Sequence, residues 1–148
     1  MEKTLLIIKP DGVERGLVGE IIGRIERKGL KLSALKLDII GREKASLHYA
    51  EHEGKEFYDS LINFITSSPV VLAVVEGEKA IATMRKMAGA TRALEAEAGT
   101  IRGDFAMDTT KNIVHSSDSA ESAEREIKNF FKPEEIMAYK LYLEPWVY

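Results

Sequence analysis

Leu5-Leu6-Ile7-Ile8, followed at once by Lys9-Pro10-Asp11-Gly12, sets how the chain begins. A short apolar run closed by a Pro-Asp-Gly turn signal reads as a buried strand ending in a turn. Val18, Ile21, Ile22 and Ile25 then recur at the i, i+3, i+4, i+7 spacing of one helix face, and Gly29 stands where a left-handed C-terminal cap belongs. Downstream, Leu30 to Ile40 alternates but slips phase. Leu30, Leu32 and Ala34 mark one face, whereas Leu35, Leu37 and Ile39 fall on the other. A bulge near Ala34, or burial on both faces, accounts for the slip. Residues 43–51 and 55–66 read as helical, broken near Gly54, and Val70 to Val75 as a second fully buried strand. Another helix follows over residues 78–88. Residues 89–111 carry Gly89, Gly99 and Gly103 among charged side chains and show no periodic face. Such a long irregular stretch in a small domain is usually functional or disordered. Asn112 to His115 is strand-like. Ala120, Ala123, Ile127 and Phe130 then line an amphipathic helix, for which Ser117, Asp118 and Ser119 compete as N-cap. Alternating strands and helices predict an α/β or α+β sandwich. The pattern leaves strand order open, and a parallel sheet satisfies it as well as an antiparallel one.

The 148 residues fit one compact domain, 1–148, with no Pro/Ser/Gly-rich linker and no repeat. An apolar fraction of 45% and a charged fraction of 30% are those of a globular protein. A net charge of -3 gives no global attraction to nucleic acid or an anionic membrane, so an anionic ligand needs a local cluster of cations. Without cysteine there is neither a disulfide framework nor a thiolate site. The start has no signal-peptide layout, and the longest apolar run, Val70 to Val75, is too short to span a bilayer. A soluble, cytoplasmic protein is the expectation.

The segment Asn112-Ile113-Val114-His115-Ser116-Ser117-Asp118 places a histidine at a strand end beside a helix start. An imidazole is largely neutral near pH 7 and accepts a phosphoryl group without a separate activating base. The helix start offers free N–H groups and a positive dipole end to an anion. Glu126, on that helix, is placed to hold one ring N–H and leave the other nitrogen's lone pair free. Taken generically, a histidine and capping residues at an ordinary strand-to-helix turn explain the segment too.

Asn112-x-x-His115-x-Ser117-Asp118 resembles the active-site signature of nucleoside diphosphate kinases. The resemblance extends to residues 9–22, to Pro69-Val70-Val71, to Gly99-Thr100-Ile101-Arg102-Gly103-Asp104-Phe105, and to Glu121-Ser122-Ala123-Glu124-x-Glu126-Ile127. These blocks keep the family's order without insertions and cover essentially the whole chain. The resemblance implies a ferredoxin-like α+β fold, a four-stranded antiparallel sheet covered by helices, with residues 89–111 as an excursion toward a nucleotide. It implies a ping-pong kinase that passes the γ-phosphoryl of a nucleoside triphosphate to a nucleoside diphosphate through a phosphohistidine, with broad base specificity. By similarity His115 is the nucleophile through Nδ1, Glu126 orients its ring and Ser117 supports that arrangement. Arg85, Arg102 and Thr91 match phosphate contacts, with His52 a weaker candidate. Lys9 and Asn112 match ribose contacts, Lys9 also within reach of the transferring phosphate, and Phe57 matches the residue on which the base stacks. Mg²⁺ is expected on the nucleotide phosphates, with no metal ligands from the protein. Family members are commonly hexamers, and the aromatic tail Glu144-Pro145-Trp146-Val147-Tyr148 resembles the family's C-terminal segment, which packs near subunit contacts. The resemblance implies a homohexamer, with a tetramer as second choice, and a tail folded back on its own subunit is the alternative. The chain departs from the pattern at Thr91-Arg92-Ala93 and Ala98, where two usual prolines are missing, which predicts a looser loop. Ser116 and Ser68 replace usual glycines, and Thr109-Thr110 departs from the common pattern beside the base.

Two rival readings come from the same residues. His48-Tyr49-Ala50-Glu51-His52 fits the H-x-x-E-H pattern of inverted zinc peptidases, though no third ligand announces itself downstream. A non-catalytic nucleotide sensor or nucleic-acid-binding module on a ferredoxin-like sheet is the other, but no basic stripe with interleaved aromatics supports nucleic acid. The spacings of Gly12, Gly16 and Gly19 match neither a P-loop nor a dinucleotide fingerprint.

Overall fold

The computed structural model describes residues 1–148 and builds one four-stranded sheet in the order β2-β3-β1-β4, every neighbouring pair antiparallel. The strands are β1 (Glu2–Ile8), β2 (Lys31–Asp38), β3 (Val70–Gly77) and β4 (Val114–Ser116). Between them run α1 (Pro10–Glu14), α2 (Val18–Lys28), α3 (Arg42–His48), α4 (Tyr58–Ile65), α5 (Ala80–Ala88), α6 (Ile101–Phe105) and α7 (Ala120–Phe130). This is the ferredoxin-like α+β arrangement. The antiparallel pairing settles the alternative that the sequence pattern left open.

β1 and β3 read as unbroken apolar runs because helices cover both faces of the sheet. Leu6, Ile8, Val71, Ala73 and Val75 pack on one side with Ile21 and Ile25 of α2 and Met84 of α5. Leu5, Ile7, Val70, Leu72 and Val74 pack on the other with Ile62 and Ile65 of α4 and Phe130 of α7. Each fully buried Leu or Ile contributes roughly 1.5–3 kcal/mol, so these two strands anchor both layers. The phase slip in β2 is a bulge between Leu32 and Ala34. Beyond it Leu35 and Leu37 of this edge strand turn to solvent, 53% and 66% exposed, as does Ile39 just past its end, 61% exposed.

Helix boundaries follow local chemistry. Gly29 caps α2 at φ 99°, in the left-handed region that suits glycine. Of the three N-cap candidates for α7, Ser119 takes the role, its Oγ accepting from the Ser122 N–H at 3.1 Å. α3 ends at His48, and a separate single turn of 3₁₀ helix covers Ala50–His52. The excursion over residues 89–111 is more ordered than its sequence promised. It holds a 3₁₀ turn at Ala93–Glu95 and α6, whose N-cap Thr100 accepts from the Gly103 N–H at 3.0 Å. A Cβ on Gly103 would lie 1.8 Å from the Glu97 carbonyl oxygen, so glycine is required there. Arg24 fastens the excursion to α2 by bonding Asp104 at 2.7 Å and the Gly99 carbonyl at 3.2 Å.

Candidate active site

β4 forms an edge of the sheet, pairing only with β1, and brings His115 opposite Ile7. The His115 side chain is 24% exposed, open enough to meet a ligand while its position is fixed from behind. Its Nε2 donates to Glu126 Oε1 at 2.9 Å, and Ser117 Oγ donates to the same oxygen at 2.6 Å. Ser117 Oγ in turn accepts from the Leu5 N–H at 3.2 Å, which ties the assembly to the central strand. Burial works to raise the Glu126 carboxyl, but its bonds with His115 and Ser117 hold it below the usual carboxylate range. Glu126 is therefore a carboxylate, and the tautomer it selects leaves the lone pair of His115 on Nδ1.

Two guanidinium groups bracket this imidazole through backbone carbonyls on either side of it. Arg85 Nη1 bonds the Ser116 carbonyl at 3.3 Å, and Arg102 Nη2 bonds the Val114 carbonyl at 2.6 Å. Arg102 also reaches the Asn112 carbonyl through Nε at 3.2 Å and the Gly89 carbonyl through Nη1 at 2.8 Å. It is buried and pinned by three bonds from three nitrogens, so two of its five N–H donors remain for a ligand. Burial, then the charge of Arg85, push its pKa down to about 10.

Lys9 and Asn112 meet directly, with Nζ donating to Oδ1 at 2.8 Å. Asn112 Nδ2 donates to the Thr91 carbonyl at 3.1 Å, so Lys9, Thr91 and Arg102 converge on one asparagine. Burial, followed by repulsion from Arg102, pushes the Lys9 ammonium down to about 8. The backbone beside it is distorted. Ile113 takes φ 75°, a left-handed conformation rare for a β-branched residue, while its N–H bonds Asp11 Oδ2 at 3.0 Å and its carbonyl accepts from the Lys9 N–H at 2.8 Å.

A chain of rings leads away from His115. His48 lies edge-on to it at 4.5 Å between centroids, Tyr49 is 4.7 Å from His48, His52 is 6.2 Å from Tyr49, and Phe57 is 5.5 Å from His52. Phe57, at the start of α4, is 48% exposed, with Lys55 Nζ over its ring at 5.8 Å from the centroid. His52 thus sits at the Phe57 end, and no hydrogen bond joins it to Arg85 or Arg102; its Nδ1 meets Lys55 Nζ at 3.2 Å. The zinc-peptidase reading fails on the same geometry. His48 ends α3 and faces His115, whereas His52 belongs to a separate turn and faces Phe57.

His48, Tyr49 and Asp11 were not singled out from sequence as parts of this site. His48 and Tyr49 lie in a helical stretch whose partner His115 is far along the chain, so no local spacing announces them. The largely apolar cavity of about 460 Å³ under the C-terminal tail, lined by residues such as Trp146 and Tyr148, includes none of the site residues.

Comparisons with known proteins point to one family. The family model described as nucleoside diphosphate kinase matches residues 2–136. A nucleoside diphosphate kinase from Listeria monocytogenes is 57% identical over 147 residues, 99% of this chain and 100% of that protein. One from Archaeoglobus fulgidus is 55% identical over 148 residues, covering 100% and 98% of the two chains. The structure of a halophilic nucleoside diphosphate kinase from Halobacterium salinarum in complex with CDP superposes with a TM-score of 0.97 at 46% identity, covering 99% of this chain and 98% of that one. A family protein from Babesia bovis gives a TM-score of 0.97 at 44% identity over the whole of both chains.

Proposed function

Since the chain belongs to the nucleoside diphosphate kinase family, and so transfers the γ-phosphoryl of a nucleoside triphosphate to a nucleoside diphosphate through a phosphohistidine, we propose that His115 Nδ1 is the atom that carries it. The observation behind this is the bond from Nε2 to Glu126, which leaves Nδ1 as the free nitrogen of a partly exposed ring. The Nδ1 lone pair forms a bond to the terminal phosphorus. The bond from that phosphorus to its bridging oxygen breaks, and its electron pair leaves on the diphosphate. A terminal oxygen of the second diphosphate then attacks the phosphohistidine and returns the lone pair to Nδ1. Charge spreads over the equatorial phosphoryl oxygens in both transition states. Arg85, the two spare donors of Arg102, Lys9 and Thr91 are the groups proposed to meet it, as positioned donors in a partly water-excluded site. Glu126 and Ser117 fix the ring, Lys9 and Asn112 take the ribose hydroxyls, and His52 stands beside the base as a minor contact. Phe57 offers the base a π-face, and stacking of that kind tolerates every base.

The family works with a divalent ion on its nucleotides, and Mg²⁺ is the ion proposed here. The one group of potential metal ligands, His48, His115 and Glu126, is nitrogen-rich; Mg²⁺ prefers oxygen and water and so arrives on the phosphates. It supplies charge neutralisation there.

Incubation with γ-labelled ATP and Mg²⁺ should label His115, and added GDP should discharge the label as GTP. A label that GDP cannot chase would overturn the transfer cycle. Glu126→Gln is expected to lower kcat by roughly 10²-fold with little change in nucleotide affinity, because it disturbs ring orientation rather than binding; pre-steady-state phosphorylation rates check this. Lys9 sets an alkaline limit. With its folded pKa near 8 and its unfolded value at 10.5, the ammonium is intact below pH 8 and lost as pH rises through it. kcat/KM should therefore fall above pH 8, and Lys9→Met should remove that limb from the profile. Deprotonation costs no folding stability there, since between the two values it is the unfolded chain that binds the extra proton and stability rises with pH.

No helix is long and apolar enough to cross a membrane, and the cytoplasm, with its nucleotide pools, is the proposed place of action. A homohexamer is the proposed assembly, with a tetramer second. The exposed Leu35 and Leu37 on edge strand β2, Ile39 just past its end, and Trp146 at 87% exposure, are the apolar surfaces such contacts would cover. Sedimentation equilibrium should give six chains per particle.

A further inference from the structure

Beside His115 stands a second imidazole to which the transfer reaction assigns no task. The His48 ring meets His115 at 86° between planes and packs 5.5 Å from Phe130. Its Nδ1 is buried with no hydrogen-bond partner, a rare state for a buried polar atom. An imidazole nitrogen without a hydrogen-bond partner is available as a metal ligand. One ligand atom from each of His48, His115 and Glu126 lies within 4.8 Å of the others.

We propose that His48, His115 and Glu126 form a site for a borderline divalent transition ion, with Zn²⁺ as its probe, and that this ion holds the enzyme in its unphosphorylated form. Two imidazoles and one carboxylate with an open fourth position is a donor set such ions accept. In a tetrahedral site the ligand atoms stand roughly 3.3 Å apart. His115 Nε2 and Glu126 Oε1 are already 2.9 Å apart, so most of the closing movement falls to His48. That residue is the last of α3, where the helix gives way to another turn. A cavity of about 370 Å³, lined by Leu47, His48, Arg125, Glu126, Lys128 and Asn129, opens onto the His48–Glu126 side. Arg125 and Lys9 bear on His48 electrostatically and oppose an incoming cation, while Glu126 favours it. Mg²⁺ does not compete, since it dehydrates reluctantly and takes oxygen ligands.

Coordination at His115 Nδ1 occupies the lone pair that attacks phosphorus. Coordination at Nε2 takes that nitrogen's lone pair, so the ring proton moves to Nδ1, which then has no lone pair for phosphorus, and Glu126 loses its N–H partner. Either excludes phosphoryl transfer. The competition rests on His115 being the phosphoryl acceptor; the metal site does not.

Zn²⁺ binding to the full-length, unphosphorylated protein, measured by calorimetry without nucleotide, tests the site. One ion per chain is expected, with affinity at least tenfold weaker in His48→Phe and lost after His115 is phosphorylated. Zn²⁺ should also slow phosphorylation of the wild type, while His48→Phe, compared with its own zinc-free rate, needs at least tenfold more zinc for the same slowing. Unchanged zinc affinity in His48→Phe, or no stoichiometric binding by the wild type, overturns the proposal. If circular dichroism shows His48→Phe unfolded, Glu126→Gln supplies the same binding comparison, and unchanged affinity there is equally fatal. Zinc retained by the phosphoenzyme overturns the competition. A protein that binds zinc at these residues yet never takes label from ATP would instead sink the kinase role of His115 and leave the metal site standing.

Discussion

Replacing His115 with alanine is expected to abolish labelling by γ-labelled ATP and to lower kcat by about 10⁴-fold or more, the scale seen when an enzyme loses its nucleophile. The cations proposed to hold the phosphates are untouched, so affinity should change far less than rate. Folding should persist, because the imidazole is partly exposed and sits on an edge strand rather than in either core layer. The cost is to Glu126, which stays buried and keeps Ser117 but loses the ring N–H. Losing one partner of a buried carboxylate costs about 1–3 kcal/mol, equivalent to a fall of several degrees in Tm for a chain of this size. Full kcat with a native melting curve would remove His115 from the mechanism.

Arg102→Met should damage both stability and rate. The carbonyls of Gly89 and Val114 lose the Arg102 donor together, while that of Asn112 keeps the Val114 N–H at 2.8 Å; each of the two orphans costs on the order of 1–3 kcal/mol. A total near 3–5 kcal/mol is a large share of a typical domain's stability of about 5–15 kcal/mol, so the variant should fold with a much lower Tm. Loss of preorganised charge should reduce kcat/KM by roughly 10²–10³-fold. Arg102→Lys separates the two effects, since it keeps the charge but not the planar fork. It should recover part of the rate and little of the stability. Arg102→Met carries a further signature. Repulsion from Arg102 helps hold the Lys9 pKa down, so its removal should move the alkaline limb of the pH profile upward. An unmoved limb, with unchanged Tm, would show that Arg102 neither braces the loop nor faces Lys9.

Much of this was written in local sequence. The apolar runs around Leu5 and Val70, the face of α2 with its Gly29 cap, and the slip near Ala34 each point to an observed feature, because period and turn chemistry act over a few residues. Strand direction was not legible, since a buried strand reads alike in parallel and antiparallel sheets. α6 escaped because a five-residue helix has no periodic face, and Gly99 and Gly103 look like loop residues until Thr100 is seen to cap the turn. At the site, His115, Glu126 and Ser117 stand close in sequence, and their geometry follows from one strand and one helix. His48 hid inside a pattern resembling a zinc motif. What separates His48 from His52 is the end of α3 between them, which no spacing rule encodes.

The left-handed Ile113 has a consequence for when the protein becomes reactive. A branched residue in that conformation costs about 1–3 kcal/mol on its own, and here it persists because the Lys9 amide and the Asp11 carboxylate, both following β1, clasp it from two sides. Until the chain's first and fourth strands have docked, the histidine two residues later rides on a relaxed segment, parted from the charges that serve it. A nascent or half-melted chain therefore has no means of draining triphosphates: chemical competence arrives only with the finished architecture.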